Sequence, residues 1–235
     1  MNGGIRSKGN VWALVPMKRL ANAKTRLAPL LAPHERRELM GAMFRDVLAT
    51  LSRVEALGGI LVVTSDDDAA ATAAQSGAVV IPDLVENGVN GAVQRGIDWL
   101  HANHKAGMMV VPGDVPFITV PEIEAVLRAT NTSPVVIVPA TRDGGTNILA
   151  VAPPVLFPPA YGSMSFARHV AAARAVGVEP AILILEGAGH DIDLAVDLVF
   201  DASQNPLSWT RNCIENFSGM CMPVPAGSQK EKFAT

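Results

Sequence analysis

One aspartate, Asp114, has no basic residue near it in sequence to neutralise it, and two more, Asp191 and Asp193, crowd together late in the chain. Asp114 follows the apolar run MMVV and a Pro-Gly pair with no basic residue adjacent. A charge at the end of a buried segment is costly unless something cationic meets it. Asp191 and Asp193 stand two apart in HDIDLAVDL, just after the apolar run AILILE. Alternate residues of an extended segment point the same way, so two carboxylates there repel unless a cation joins them. Hard oxygen ligands favour Mg2+. The plainer alternative is that Asp193 caps a helix beginning at Leu194, which leaves Asp191 and Asp114 unexplained.

Cationic and small polar residues gather in two other places. VPMKRLANAKTRL puts Lys18, Arg19, Lys24 and Arg26 directly after an apolar run, a concentration of charge that suits a polyphosphate, with Lys as a point charge and Arg as a bidentate fork. A solvated basic loop would have the same composition. Neither G-x-x-x-x-G-K-[ST] nor G-x-G-x-x-G occurs, so the usual phosphate-cradling loops and a dinucleotide fingerprint are absent. In RDGGTNILAV, Gly144 and Gly145 let backbone approach a ligand and Thr146 supplies a hydroxyl. In YGSMSFARH, Gly162, Ser163 and Ser165 precede the helical stretch FARHVAAARAV, whose first amides would face an anion. An ordinary turn and a serine N-cap explain each feature alone; together they outline a small anion pocket. His169 and His190 read as packed or hydrogen-bonded residues.

The elements that must position these groups are seven continuous apolar runs: residues 11–16, 59–65, 78–82, 108–114, 134–140, 147–153 and 181–186. Strands buried on both faces have that character. Between them HERRELMGAMFRDVLATLS sets Leu39, Met43, Val47 and Leu51 four apart on one helical face. Thr119 and Glu122 form a capping box at the head of a helix running to about Arg128. Strands alternating with helices predict a single Rossmann-like α/β domain, a mostly parallel sheet with helices on both faces, with ligands outside the carboxyl ends of its strands. Asp114, residues 16–18, 64–66, 82–83 and 139–142 would then share one rim.

Composition agrees with one soluble domain. The 235 residues are 49% hydrophobic, enough for a substantial core. A formal net charge of -3 provides no basic field for nucleic acid or an anionic membrane, so any bound anion must be met locally. No run reaches the roughly 18 apolar residues of a membrane span, and a cytoplasmic protein is expected. Cys213 and Cys221 fall outside the patterned part of the chain and read as incidental thiols. From about Ala202 the alternation is lost, which suggests a main domain over residues 1–204 and an appendage over 205–235, partly disordered or packed on the surface.

V-P-x-K with A-K-[ST]-R-L, the strand ending in Asp-x-Pro, R-D-G-G-T-N, G-S-x-S-F-x-R-H and the late D-x-D together resemble the 2-phospho-L-lactate guanylyltransferase family. Its members help make the deazaflavin coenzyme F-420 and are akin to the molybdenum-cofactor guanylyltransferases. The likeness spans roughly residues 11 to 200 and implies the nucleotidyltransferase fold. Carried over position by position, it implies Mg2+ on Asp114, Asp191 and Asp193, a phosphoacid pocket at Thr146, Gly162 and Ser165, and Lys18, Lys24 and Arg26 facing the triphosphate of GTP. It also implies Asn90 near the nucleoside. The acceptor would be 2-phospholactate, phosphoenolpyruvate or 3-phosphoglycerate, and a homodimer is one option for the assembly. Family members often follow the second Asp of D-x-D with Thr-Pro, whereas Leu194 and Ala195 stand here, so the helix start is expected to differ. A nucleotidyltransferase with a sugar-phosphate or molybdopterin acceptor, and a GTP-binding protein without turnover, are the competing readings.

Overall fold

The computed structural model describes residues 9–20, 23–199 and 208–217. All seven apolar runs form strands: β1 (Val11–Met17), β2 (Gly59–Thr64), β3 (Val79–Pro82), β4 (Gly107–Val110), β5 (Val135–Pro139), β6 (Thr146–Val151) and β7 (Ala181–Ile182). They make one sheet in the order β3-β2-β1-β4-β6-β5-β7. Neighbours pair in parallel except β6, which runs antiparallel to both β4 and β5. That reversal brings the start of β6, Thr146, to the rim where the other strands end.

The strands read as continuous apolar runs because alternate residues feed two separate cores. Ala13, Val15, Val62, Met109, Val136 and Ile148 point into one, and Leu14, Leu61, Val63, Met108, Val110, Ile137 and Leu149 into the other. The first core is closed mainly by α1 (Pro33–Ser52) and α4 (Val120–Ala129), and the second by α3 (Gly88–Ala102) and α5 (Ser165–Ala175); α2 (Asp67–Gln75) lies beside α1. On α1 the predicted stripe Leu39, Met43, Val47 and Leu51 is buried, joined by Met40, Phe44 and Leu48. Each such side chain contributes about 2 kcal/mol by leaving water. Ala32 ahead of α1 has no side-chain oxygen; Pro33 opens the helix and Glu35 accepts the Ala32 amide at 2.7 Å.

The predicted capping box heads α4: Thr119 Oγ1 accepts the Glu122 amide, and Glu122 Oε2 accepts the Thr119 amide at 2.9 Å. Within the predicted appendage, Trp209–Asn216 forms α6, packed against α1. Its first amides are met by Asp46 of α1, which accepts from Trp209 at 3.0 Å and Thr210 at 2.8 Å. A helix N-terminus thus offsets a buried carboxylate, whose pKa burial nevertheless raises. Cys213 on α6 is half-buried against the first core; Cys221 lies outside the described residues. No helix among the described residues is long and apolar enough to cross a membrane.

Candidate active site

β4 stops at Val110, and the chain passes through Val111, Pro112 and Gly113 to Asp114 at the carboxyl rim. Space at Gly113 is tight: a Cβ there would lie 3.0 Å from Met17 Sδ and 3.3 Å from Phe44. The second carboxylate loop, residues 187–194, is fastened from several sides. Glu122 Oε1 accepts the Gly187 amide at 2.8 Å, so one carboxylate both caps α4 and holds this loop. Asn147 Nδ2 donates to Ala188 O at 3.0 Å, and Thr141 Oγ1 donates to Gly189 O at 2.6 Å. The Ile192 amide donates to the Asp114 carbonyl at 3.2 Å, which sets Asp191 and Asp193 on either side of the residue tied to the Asp114 loop.

The three carboxylates converge, and a lysine stands among them. Lys24 Nζ donates to Asp114 Oδ2 at 2.6 Å and to Asp193 Oδ1 at 2.7 Å, and Arg26 reaches Asp193 Oδ2 at 3.2 Å. Burial alone would lower the Lys24 pKa, but Asp114 and Asp193 more than offset it and the net shift is upward. The Asp191 carboxyl is pushed up to about 6, by burial first and then by Asp114 and Asp193. Lys24 and Arg26 therefore face the aspartates, while Lys18 is exposed just past the end of β1. Arg19 pairs with Glu86 at 2.7 Å.

Asp193 is not a helix cap. Its own amide and that of Leu194 both donate to Asp197 Oδ2, at 2.9 and 2.7 Å, so the carboxylate that reaches back is Asp197, within a short 3-10 helix Ala195–Val199. Arg142, from the β5–β6 turn, lies 2.5 Å from Asp197 Oδ1, and His190 is 3.9 Å from the same atom.

Beside this loop the β5–β6 turn and the start of α5 bring Thr146 and Ser165 together. The Thr146 amide donates to Ser165 Oγ at 2.9 Å, and both side chains are buried. Gly144 at φ +69 and Gly162 at φ +118 hold backbone conformations suited to glycine. Neither Ser163 nor Ser165 caps α5; Met164 stands at that position with no side-chain cap. The first two amides of α5 already have acceptors, because Ser165 N donates to Gly162 O and Phe166 N to Gly144 O, both at 3.1 Å.

Asn90, exposed near the start of α3, is bonded to Tyr161. Its Nδ2 donates to Tyr161 O at 3.0 Å and its Oδ1 accepts the Tyr161 amide at 2.7 Å, so it clamps the segment leading into Gly162. From sequence Glu122 is visible only as a helix cap and Arg142 only as a rim residue, while Asn147, Asp197 and Gly187 carry no separate signal.

The model for guanylyl transferases of the CofC-like type matches residues 11–199. The chain belongs to that family. Phosphoenolpyruvate guanylyltransferase of Sphaerobacter thermophilus is 35% identical over 197 residues, covering 83% of this chain and 94% of the relative. 3-phospho-D-glycerate guanylyltransferase of Phenylobacterium zucineum is 33% identical, covering 80% and 87%. 2-phospho-L-lactate guanylyltransferase of Methanothermobacter thermautotrophicus is 32% identical, covering 79% and 81%. Among solved structures, a chain from Desulfovibrio desulfuricans G20 assigned to the nucleotide-diphospho-sugar transferases superposes with a TM-score of 0.73 at 16% identity, covering 88% of this chain and 94% of that one. The 4-diphosphocytidyl-2C-methyl-D-erythritol synthase of Anaerococcus prevotii gives 0.56 at 13% identity, covering 85% and 97%. These two likenesses show the nucleotidyltransferase-like fold, as expected from the sequence.

The donor chemistry of the three aspartates fits a hard divalent cation: oxygen ligands only, from two loops joined by a backbone hydrogen bond. Burial first, and then the neighbouring charges of Asp114 and Asp193, raise the Asp191 carboxyl. Two of the three, Asp114 and Asp193, hold the Lys24 ammonium, and among the described residues no group of three or more His, Cys, Asp or Glu forms a closed ligand cage.

Proposed function

We propose that this protein transfers the guanylyl group of GTP to the phosphate of a small phosphorylated carboxylic acid, releasing pyrophosphate, in deazaflavin coenzyme F-420 biosynthesis. The observation that supports it most is the convergence of Asp114, Asp191 and Asp193 at the rim next to the buried Thr146 and Ser165 hydroxyls. An anionic acceptor and an anionic nucleotide need such neighbours. Because the reaction draws on GTP, the cytoplasm is the compartment we infer.

An acceptor phosphate oxygen attacks the α-phosphorus; the new P–O bond forms as the bond to the β-phosphate oxygen breaks, and pyrophosphate leaves. A phosphate monoester is already largely ionised near pH 7, so no protein base is required. The barrier is then mostly repulsion between anions and their alignment. Thr146 and Ser165 would bind and orient the acid, and Lys24, Arg26 and Lys18 supply positive charge for the phosphates. Asp114, Asp191 and Asp193 would hold Mg2+, which would lower charge repulsion at the transferring phosphoryl group.

The test is an acceptor panel. Purified protein is incubated with GTP and, separately, phosphoenolpyruvate, 2-phospholactate, 3-phosphoglycerate, a sugar phosphate and molybdopterin, with Mg2+ or with a chelator, and pyrophosphate is measured. Release with at least one acid, abolished by the chelator, is expected. Release only with a sugar phosphate or a molybdopterin moves the protein to another acceptor class. GTP binding without pyrophosphate from any acceptor would leave a non-catalytic GTP-binding protein.

A further inference from the structure

His169 of α5 is buried, and its ring lies edge-on to Tyr161 at 4.9 Å. Its Nε2 accepts the Ala160 amide at 3.0 Å. An acceptor nitrogen carries no hydrogen, so in the neutral ring the hydrogen sits on Nδ1. Nδ1 is 2.9 Å from Thr146 Oγ1, and the Thr146 oxygen must accept that bond. Its own hydrogen has no acceptor among the described residues. Ser165 repeats the arrangement, since its Oγ accepts the Thr146 amide and its hydrogen is likewise unclaimed. Two buried hydroxyls therefore keep their hydrogens for a ligand. Burial holds the His169 pKa down at about 4, so the ring is neutral across the neutral pH range.

We propose that His169 is a positioning residue: its tautomer, set by the Ala160 amide, spends a Thr146 lone pair internally and presents the Thr146 hydroxyl, with that of Ser165, as paired donors for an anionic oxygen of the acceptor. The inference rests on the function proposed above. It also gives Asn90 a role, because Asn90 clamps both backbone polar groups of Tyr161 and so holds the adjacent Ala160 amide against His169. A ligand oxygen that is an ionised carboxylate or phosphate accepts both hydrogens.

Three variants and their double test it: His169→Leu, His169→Asn, Thr146→Val, and His169→Leu with Thr146→Val. Steady-state kinetics use whichever acid the wild-type protein turns over. His169→Leu is expected to raise the KM for the acid about tenfold or more with the KM for GTP nearly unchanged, the size of one lost oriented hydrogen bond. His169→Asn, whose amide can stand where Nδ1–H stood, should recover most of that loss. The double variant should be no worse than Thr146→Val alone. An unchanged acid KM in His169→Leu, equal damage to both substrates, or multiplied effects in the double variant would overturn the proposal. Should the leucine variant not fold, nitrogen-15 NMR of the wild-type ring decides: a hydrogen on Nδ1 supports the proposal and one on Nε2 overturns it. A wild-type protein that releases no pyrophosphate with any acid sinks the reaction, while the ring tautomer still tests the hydrogen-bond chain.

Discussion

Lys24 Nζ lies 2.6 Å from Asp114 Oδ2, joining residues 90 positions apart in the chain, and the same ammonium lies 2.7 Å from Asp193. Its side chain is 4% exposed. A buried charge with two opposite charges against it is the internal answer to the isolated aspartate that the sequence presents. The ammonium stands where the three carboxylates would otherwise repel one another, and a divalent cation binding to them would have to share or take that place.

Replacing Lys24 with Ala should therefore act in two opposite directions. Leaving Asp114 without a counter-charge, and Asp193 with only the exposed Arg26, should lower stability in a chelator by about 1–2 kcal/mol, a value reduced for the partial exposure of both aspartates. Removing the competing cation should at the same time tighten Mg2+ binding. Melting temperature with and without Mg2+ reads the first effect and calorimetric Mg2+ titration the second. Turnover should fall about a hundredfold, since one fixed charge near the phosphates is gone. A variant that melts like wild type and binds Mg2+ no better would show that Lys24 does not compensate the carboxylates.

Asp191 makes stability depend on pH in an unusual direction. Its folded pKa, about 6, lies above the ordinary 3.8, so the folded state holds the proton more tightly than the unfolded chain. Ionising it therefore costs native stability. The cost is absent below the ordinary value, grows as pH rises toward 6, and is complete above that. Without divalent cations Asp191→Asn should be more stable than wild type at pH 7.5 by about 1 kcal/mol, discounted for a side chain that is only partly buried. The gain should vanish near pH 3.5, and Mg2+-dependent turnover should be lost. Chemical denaturation at both pH values measures it; a gain independent of pH would point to packing instead of charge.

Much of this arrangement was legible beforehand, for a physical reason. Continuous apolar runs report burial on both faces, and all seven became strands. They do not report direction, so the antiparallel β6 was invisible except through the short turn between residues 139 and 146. That reversal is what delivers Thr146 to the rim. The isolation of Asp114 was readable, but its partner Lys24 was not, because nothing local links residues 90 apart. Asn90 rests on resemblance alone, and its contacts with Tyr161, 71 residues away, have no local signal in the sequence. Asp197 lay inside a quoted segment, four residues after Asp193, at a spacing where a carboxylate can reach back to free amides.

Asp197 should matter more for architecture than any of the three converging carboxylates. Its Oδ2 takes two amides of the Asp193 loop, and Arg142 meets its other oxygen. Asp197→Ala leaves those two part-buried amides without an acceptor and removes the partner of the exposed Arg142, at a cost of about 2 kcal/mol, with a melting temperature lower by roughly 5 °C. Asp197→Asn keeps an acceptor for the amides and should lose less. Both should weaken Mg2+ binding, because the loop that carries Asp191 and Asp193 loses its anchor. Thermal melts and Mg2+ titration of the two variants would expose the idea as wrong if the alanine variant melted with wild type.

His169 supplies a second pH dependence, of opposite sign to that of Asp191. Burial first, and Arg168 next, lower its pKa to about 4 from 6.5, so the unfolded chain binds a proton more readily than the folded one. Its contribution to stability is intact above pH 6.5, declines as pH falls toward 4, and is gone below that. The full swing is on the order of 2–3 kcal/mol for a ring with no exposed surface. His169→Asn should be the less stable protein at pH 7.5, where it lacks the ring's packing and the bond from Ala160. On acidification only the wild type loses the histidine-linked part, so the two stability curves should converge between pH 6.5 and 4. Curves that stayed parallel through that interval would mean that the buried ring is not held neutral, and the Nδ1–H to Thr146 bond would lose its basis.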